Sequence, residues 1–148
     1  MMEILPEPDS MFWKTARLKT FDNWPFRSSD NCNAELMAAA GFFAVGGREE
    51  PDLVQCFICA KQLDGWDAED DPWTEHARHQ SDCSFVMLGK SDESLWTVND
   101  LFDLLKKFIV KECTHELDQS MAVAKRESEE LMRKIPQIYM ELRKGRKD

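Results

Sequence analysis

Four residues constrain this chain more than any others: Cys56-x2-Cys59-x16-His76-x6-Cys83. Three thiols and an imidazole at this spacing suit the tetrahedral donor set of structural zinc. Sulfur and imidazole donors favour Zn²⁺ over Ca²⁺ or Mg²⁺, which take oxygen. The set predicts one bound Zn²⁺, held by Cys56 and Cys59 on a tight knuckle between strands, His76 on a helix and Cys83 just beyond it. Four protein ligands leave no position for a reacting water, so the metal is expected to be structural rather than catalytic. Stripping it should unfold the surrounding residues.

The other two cysteines, Cys32 and Cys113, stand outside the cluster. They are read as small residues, one in a loop and one on a helix face. An odd number of thiols, with a Cys-x-x-Cys pair among them, fits a reducing compartment better than a secreted disulfide scaffold. The start of the chain has neither the basic region nor the apolar run of a leader, and no stretch has the ~18 consecutive apolar residues of a membrane span. The expectation is an intracellular protein that makes no membrane contact.

The net charge is −9 and unevenly placed. Residues 1–90 carry 16 Asp/Glu against 8 Lys/Arg, and residues 91–148 carry 12 against 11. An acidic first part argues against sequence-specific nucleic-acid binding, which needs clustered positive charge. It suits a Lys/Arg-rich peptide, or is simply a soluble acidic surface.

Two textures divide the chain. Up to about Gly89 it is broken by Gly, Pro and Asn. From Thr97 there is no Gly until Gly145, and only one Pro, Pro136. The expected organisation is an N-terminal tail (1–11), a zinc domain (12–88), a linker that also dimerises (89–96), one long amphipathic helix (97–144) and a tail (145–148). The fold class is α+β: a short three-stranded sheet with surrounding helices, followed by the helix. Two short helices are expected in the zinc domain. One covers 34–40, with Asn33 as N-cap and Gly41 past its end. The other starts at Asp71-Pro72 and runs to about Gln80. Strands are expected at 42–45, 53–57 and 62–66.

Thr97 and Asp100 resemble a capping box for the long helix. From Leu117 the apolar residues alternate by four and three: Leu117, Met121, Ala124, then Ser128, Leu131, Ile135, Ile138 and Leu142. This is a heptad seam with one polar member. A helix reaching Lys144 would be roughly 70 Å long at ~1.5 Å per residue. A domain this small cannot cover it, so the seam calls for another chain. Pro136 should kink or break the helix in its last turns.

The residues around the metal ligands resemble a family. Arg17-Leu18-Lys19-Thr20-Phe21, Trp24-Pro25, Ala39-Ala40-Gly41-Phe42, Cys56-Phe57-x-Cys59, Leu63, Gly65-Trp66, Asp71-Pro72, Glu75-His76 and Cys83-x-Phe85 look like the BIR domain of inhibitor-of-apoptosis proteins, over about residues 12–88. The resemblance is to members with one such domain, no RING finger and a long C-terminal helix. It implies a non-enzymatic targeting and scaffold subunit of the chromosomal passenger complex in mitosis, working with borealin, inner centromere protein and Aurora B kinase. It implies a groove for a histone N-terminal tail whose third residue is phosphothreonine. Trp66 and Leu63 would wall the first residue and Asp70 pair with the terminal ammonium. Asp64 would take a basic second residue, and Lys61 and His79 the phosphate. Asp64 stands where such members commonly carry Glu. From the residues alone, Trp66 could be core and the acidic run a solvated loop.

The same resemblance implies a homodimer through Leu95, Trp96, Val98 and Leu101, helped by Phe12, although Trp96 could instead pack on its own domain. It implies a helical bundle through Leu117, Met121, Ala124, Leu131, Ile135, Ile138 and Leu142. It places the protein in the nucleus, at chromosomes and centromeres, on the spindle midzone and midbody, and in the cytoplasm. The alternatives are an inhibitor of apoptotic caspases and a plain zinc-held dimerisation module. No phosphate loop, nucleophile elbow or Cys-His pair outside the zinc set points to an enzyme.

Overall fold

A computed structural model describes residues 5–145; the parts of the two tails at 1–4 and 146–148 lie outside the described residues. Residues up to Lys111 form one compact unit, and Glu112 onward a second. In chain order the elements are α1 (Lys14–Leu18), α2 (Ala34–Ala39), β1 (Phe42–Ala44), β2 (Val54–Cys56), β3 (Gln62–Leu63), α3 (Pro72–His79) and α4 (Ser84–Leu88). A 3-10 turn (Glu93–Leu95) and α5 (Val98–Lys144) follow.

The capping chemistry sets the helix starts. Asn33 accepts the Leu36 N–H at 3.0 Å at the head of α2. Asp71 accepts the Thr74 N–H at 2.7 Å at the head of α3, with Pro72 in the first turn. Thr97 and Asp100 exchange bonds across the first turn of α5: Thr97 N–H to Oδ2 of Asp100 at 2.8 Å, Asp100 N–H to Oγ1 of Thr97 at 3.2 Å. The carboxylate of Asp100 also takes Lys90 Nζ at 2.6 Å. That hydrogen bond is the largest of several effects holding its pKa down at about 2.

Two helices and the 3-10 turn go beyond the sequence-based expectation. α1 and α4 have five residues each, with no side-chain cap on either. Such short helices are not stable by themselves, and packing holds them in place. The strands are also shorter than expected. They form an antiparallel sheet in the order β1-β2-β3, with Phe42 opposite Cys56 and Val54 opposite Leu63. Between α2 and β1, Gly41 has φ +92°, and a Cβ there would lie 2.9 Å from the Phe85 ring. Only glycine makes that turn without strain.

Phe12, Phe42, Phe57 and Phe85 are fully buried. The rings of Phe12, Phe57 and Phe85 meet edge to face: Phe12–Phe57 at 5.7 Å and Phe57–Phe85 at 5.1 Å, with Trp73 on Phe85 at 5.3 Å and Phe108 on Phe12 at 5.4 Å. Leu104 and Leu105 of α5 are buried in the same core. The first turns of α5 therefore belong to the compact unit. Lys111 seals them by donating to the Phe57 carbonyl at 2.6 Å.

Arg17 is the one fully buried guanidinium in this core. It lies 4.2 Å over the Phe57 ring and donates to the carbonyls of Ala38 (3.1 Å), Met11 (3.0 Å) and Phe12 (2.6 Å). Glu93 approaches its Nη2 at 3.6 Å. Burial pushes its pKa down to about 10, with Glu93 opposing, so it stays charged at neutral pH.

In the second unit, every described residue is exposed in the single chain, including Leu117, Met121, Leu131, Ile135, Ile138 and Leu142. α5 runs to Lys144 with Pro136 inside it, so of the expected kink or break the break does not occur. The helix keeps going because proline removes one N–H bond, while those on either side still close the turn.

Candidate metal centre and binding groove

The metal ligands come from four local structures. β2 ends at Cys56, and a knuckle returns the chain to β3. Cys56 N–H donates to Lys61 O at 3.0 Å, and Ala60 N–H to Cys56 O at 3.1 Å. Ala60 takes a left-handed conformation, φ +59°, to make the turn. The Ile58 N–H points at Cys56 Sγ, 3.3 Å away. His76 projects from α3, and Cys83 stands at the head of α4. The four ligand atoms lie within 4.8 Å of one another.

Two of the ligand separations match a single ion. Tetrahedral zinc with bonds of ~2.3 Å to sulfur and ~2.05 Å to nitrogen places two sulfurs ~3.8 Å apart, and a sulfur and a nitrogen ~3.6 Å apart. Cys56 Sγ to Cys83 Sγ is 3.9 Å, and Cys59 Sγ to His76 Nε2 is 3.6 Å. His76 is fully buried, and its Nδ1 lies 2.8 Å from Ala40 O. That bond requires the proton on Nδ1 and leaves the Nε2 lone pair for a metal, a second contact that orients the ligand.

Left to themselves, such crowded donors share protons. Burial first, then hydrogen bonds from Cys59 and Cys83, push the Cys56 thiol up. Hydrogen bonds from Cys56 and then Cys59 pull Cys83 down. Burial lowers the His76 pKa, but hydrogen bonds to Cys59 and Cys83 outweigh it and raise it to about 9. The four residues can hold one metal ion, consistent with the zinc of a Cys₃His site. Cys32 is buried away from them and Cys113 is exposed on α5.

Beside this centre runs a groove of about 220 Å³, between the 64–70 loop and α3. Leu63, Asp64, Gly65, Trp66, Asp67 and Asp70 line one side; Glu75, Arg78 and His79 line the other. The loop is tied down. Gly65 N–H donates to Asp52 at 2.9 Å, Asp67 N–H to Asp70 at 2.8 Å, and Asn31 N–H to Ala68 O at 2.8 Å. Trp66 is both core and wall: 7% exposed, it packs edge-on against Phe42 at 5.7 Å, and its Nε1 is buried without a hydrogen-bond partner. A larger hollow of about 610 Å³, walled by Met87, Leu88, Leu104 and Val110 among others, gathers none of these groups.

Of the six residues expected in the groove, Leu63, Asp64, Trp66, Asp70 and His79 line it, and Lys61 does not. Sequence reasoning missed Asp67, Glu75 and Arg78. Helical spacing held the signal for the last two: 75, 78 and 79 are i, i+3 and i+4 and share a face. Of the residues expected in a dimer surface, Phe12 is fully buried. Trp96 packs on Phe12 and Phe85 at 5.9 and 6.2 Å and donates to Lys90 O at 2.9 Å, so it sits on its own domain. Leu101 is half-buried, while Leu95 and Val98 are largely exposed.

The family described as "BIR: Inhibitor of Apoptosis domain" matches residues 17–87. "Baculoviral IAP repeat-containing protein 5" of Cavia porcellus is 36% identical over 138 residues, covering 93% of this chain and 94% of its own length. Its counterpart in Rattus norvegicus is 37% identical, with the same coverage of each. "Baculoviral IAP repeat-containing protein 5.1-A" of Xenopus laevis is 45% identical over 92 residues, covering 62% of this chain and 54% of its own. The chain belongs to the BIR-domain family of inhibitor-of-apoptosis proteins and is a survivin-like member with a single BIR domain.

Proposed function

We propose that this chain is a non-enzymatic targeting and scaffold subunit of the chromosomal passenger complex. Its BIR groove reads a histone N-terminal tail carrying phosphothreonine, and its C-terminal helix bundles with borealin and inner centromere protein, bringing Aurora B kinase to chromosomes. The metal is Zn²⁺, one per chain and structural: Cys56, Cys59, His76 and Cys83 hold it and spend all four positions. The observation that carries the groove reading is its polarity. Asp64, Asp67 and Asp70 make one rim acidic, while the other carries the Arg78 guanidinium, paired to Glu75, and the His79 imidazole. A peptide with a basic start followed by a phosphate matches that order of charge. Such a protein works in the nucleus at centromeres and then at the spindle midzone and midbody, with a cytoplasmic pool.

Calorimetric titration with a peptide beginning Ala-Arg-Thr tests this. Binding should be tighter with phosphate on the Thr, and His79→Ala should reduce that preference. Equal affinity for both peptides would overturn the groove reading.

The seam on α5 supports the bundle. Leu131 and Ile138 are 58% and 45% exposed, a surface that water does not favour. Leu131→Glu together with Ile138→Glu should abolish co-purification of the partner helices and leave the zinc domain folded. Normal co-purification with that variant would overturn the bundle. Leu95 and Val98, both exposed, are the residues through which two copies would pair in the absence of partners. Restraint of caspases is the second reading, favoured by membership of the inhibitor-of-apoptosis family.

A further inference from the structure

The cationic end of the groove is built from α3 alone. Glu75, Arg78 and His79 share one face, and a single carboxylate faces both the guanidinium and the imidazole. Glu75 Oε2 accepts from Arg78 Nη2 at 2.5 Å and lies 3.5 Å from His79 Nε2. Arg78 Nη2 is itself 3.4 Å from His79 Nε2. Lys61, the other cation expected at a phosphate, does not line the groove. We propose that Arg78 is a phosphate-binding, specificity-determining side chain of this groove, which Glu75 holds until a phosphorylated peptide takes it over. The inference rests on the reading of the groove as a phosphopeptide site.

The chemistry runs as an exchange of ion pairs. The Arg78 side chain is 67% exposed, and among the described residues its Nε and Nη1 have no partner, so its planar fork is open to a second anion. A guanidinium is charged at any physiological pH and matches two phosphate oxygens at once, whereas an imidazole brings a full charge only when protonated. A phosphothreonine brings a charge of about −1.5 to −2 and three acceptor oxygens, enough to compete with one carboxylate. A bare threonine hydroxyl brings neither, so it leaves the Glu75–Arg78 pair in place. Selectivity then comes partly from the carboxylate that the unmodified peptide fails to displace.

The test is the ratio of affinities for the phosphorylated and unphosphorylated peptides, measured by calorimetry on the full chain. The ratio cancels whatever Glu75 contributes to the rest of the peptide. Arg78→Gln should cut the ratio roughly three- to tenfold, the size of one exposed charge-assisted pair. Arg78→Lys should keep part of the preference, and Glu75→Gln should raise it by freeing Arg78. An unchanged ratio in Arg78→Gln, or an equal loss for both peptides, overturns the role of Arg78 while the groove reading stands. No phosphate preference in the unaltered protein overturns both.

Discussion

Removing the metal should unfold the BIR domain. Structural zinc contributes an apparent ~10–16 kcal/mol in small metal-held domains, as much as or more than the ~5–15 kcal/mol by which a typical domain is stable. Here the ligands tie together the β2 knuckle, α3 and the head of α4, behind the Phe57, Trp73 and Phe85 rings that also join them. His76 is pinned on Ala40, and its ring lies 4.6 Å from Phe42, which packs on Trp66. Chelation should therefore release one zinc per chain and collapse the near-ultraviolet tryptophan signal in a single transition. Cys59→Ser should do the same without chelator, whereas Cys113→Ser, on the exposed face of α5, should keep both metal and fold. A full tryptophan signal from metal-free protein would refute the central role of the site.

Arg17→Met should be the most damaging substitution away from the metal, with a loss of about 3–5 kcal/mol. Methionine fills most of the volume and keeps the contact with Phe57, but it leaves the carbonyls of Met11 and Phe12 without the Arg17 donor, while Ala38 O keeps the Gly41 N–H at 3.2 Å. Each buried acceptor so stranded costs about 1–3 kcal/mol, less where the chain end can hydrate it. Glu93 also loses its cation but keeps the Lys14 N–H at 2.5 Å. Arg17→Lys should recover less than half of the loss, because one ammonium cannot reach three carbonyls and lie flat on a ring. Urea denaturation reads the effect: with a slope of ~1–3 kcal/mol/M, the midpoint should fall by roughly 2 M. A shift under about 0.5 M would mean that the carbonyls rehydrate freely.

The sequence made some of this legible and hid the rest for identifiable reasons. The metal quartet could be read because its spacing is itself the chemistry, and the caps at Asn33, Asp71 and Thr97 because capping needs only residues three apart. α1 and α4 could not be read: five residues without a cap carry too little local signal, and only burial against the core makes them helical. Arg17 was seen as part of a motif but not as core, since arginine is rarely fully buried. Phe12 had the apolar character of an interface, and only the tertiary fold shows that it is fully buried inside the domain, with half-buried Trp96 packed on it. Pro136 is the opposite case: the local rule allowed a break, and the helix on both sides carries through it. In the groove, Asp70 and Trp66 were legible through the family resemblance and not by residue type, which also fits a solvated loop and a core ring. Arg78 was not legible, because a charged residue on a helix is unremarkable until its face is known.

The way α5 enters the core also bears on how this module could be moved or trimmed. The family signature ends at residue 87, yet Phe12 lies before its start, and Trp96, Leu104, Leu105 and Phe108 lie after its end. These five close the aromatic cluster from outside the recognisable segment. A fragment cut to the signature would expose Phe57 and Phe85 to water and leave Arg17 without Glu93. The domain is thus not a portable cassette joined to a helix. Its last structural layer is the beginning of the helix, so any graft, fusion or truncation that respects its physics has to break the chain beyond Lys111.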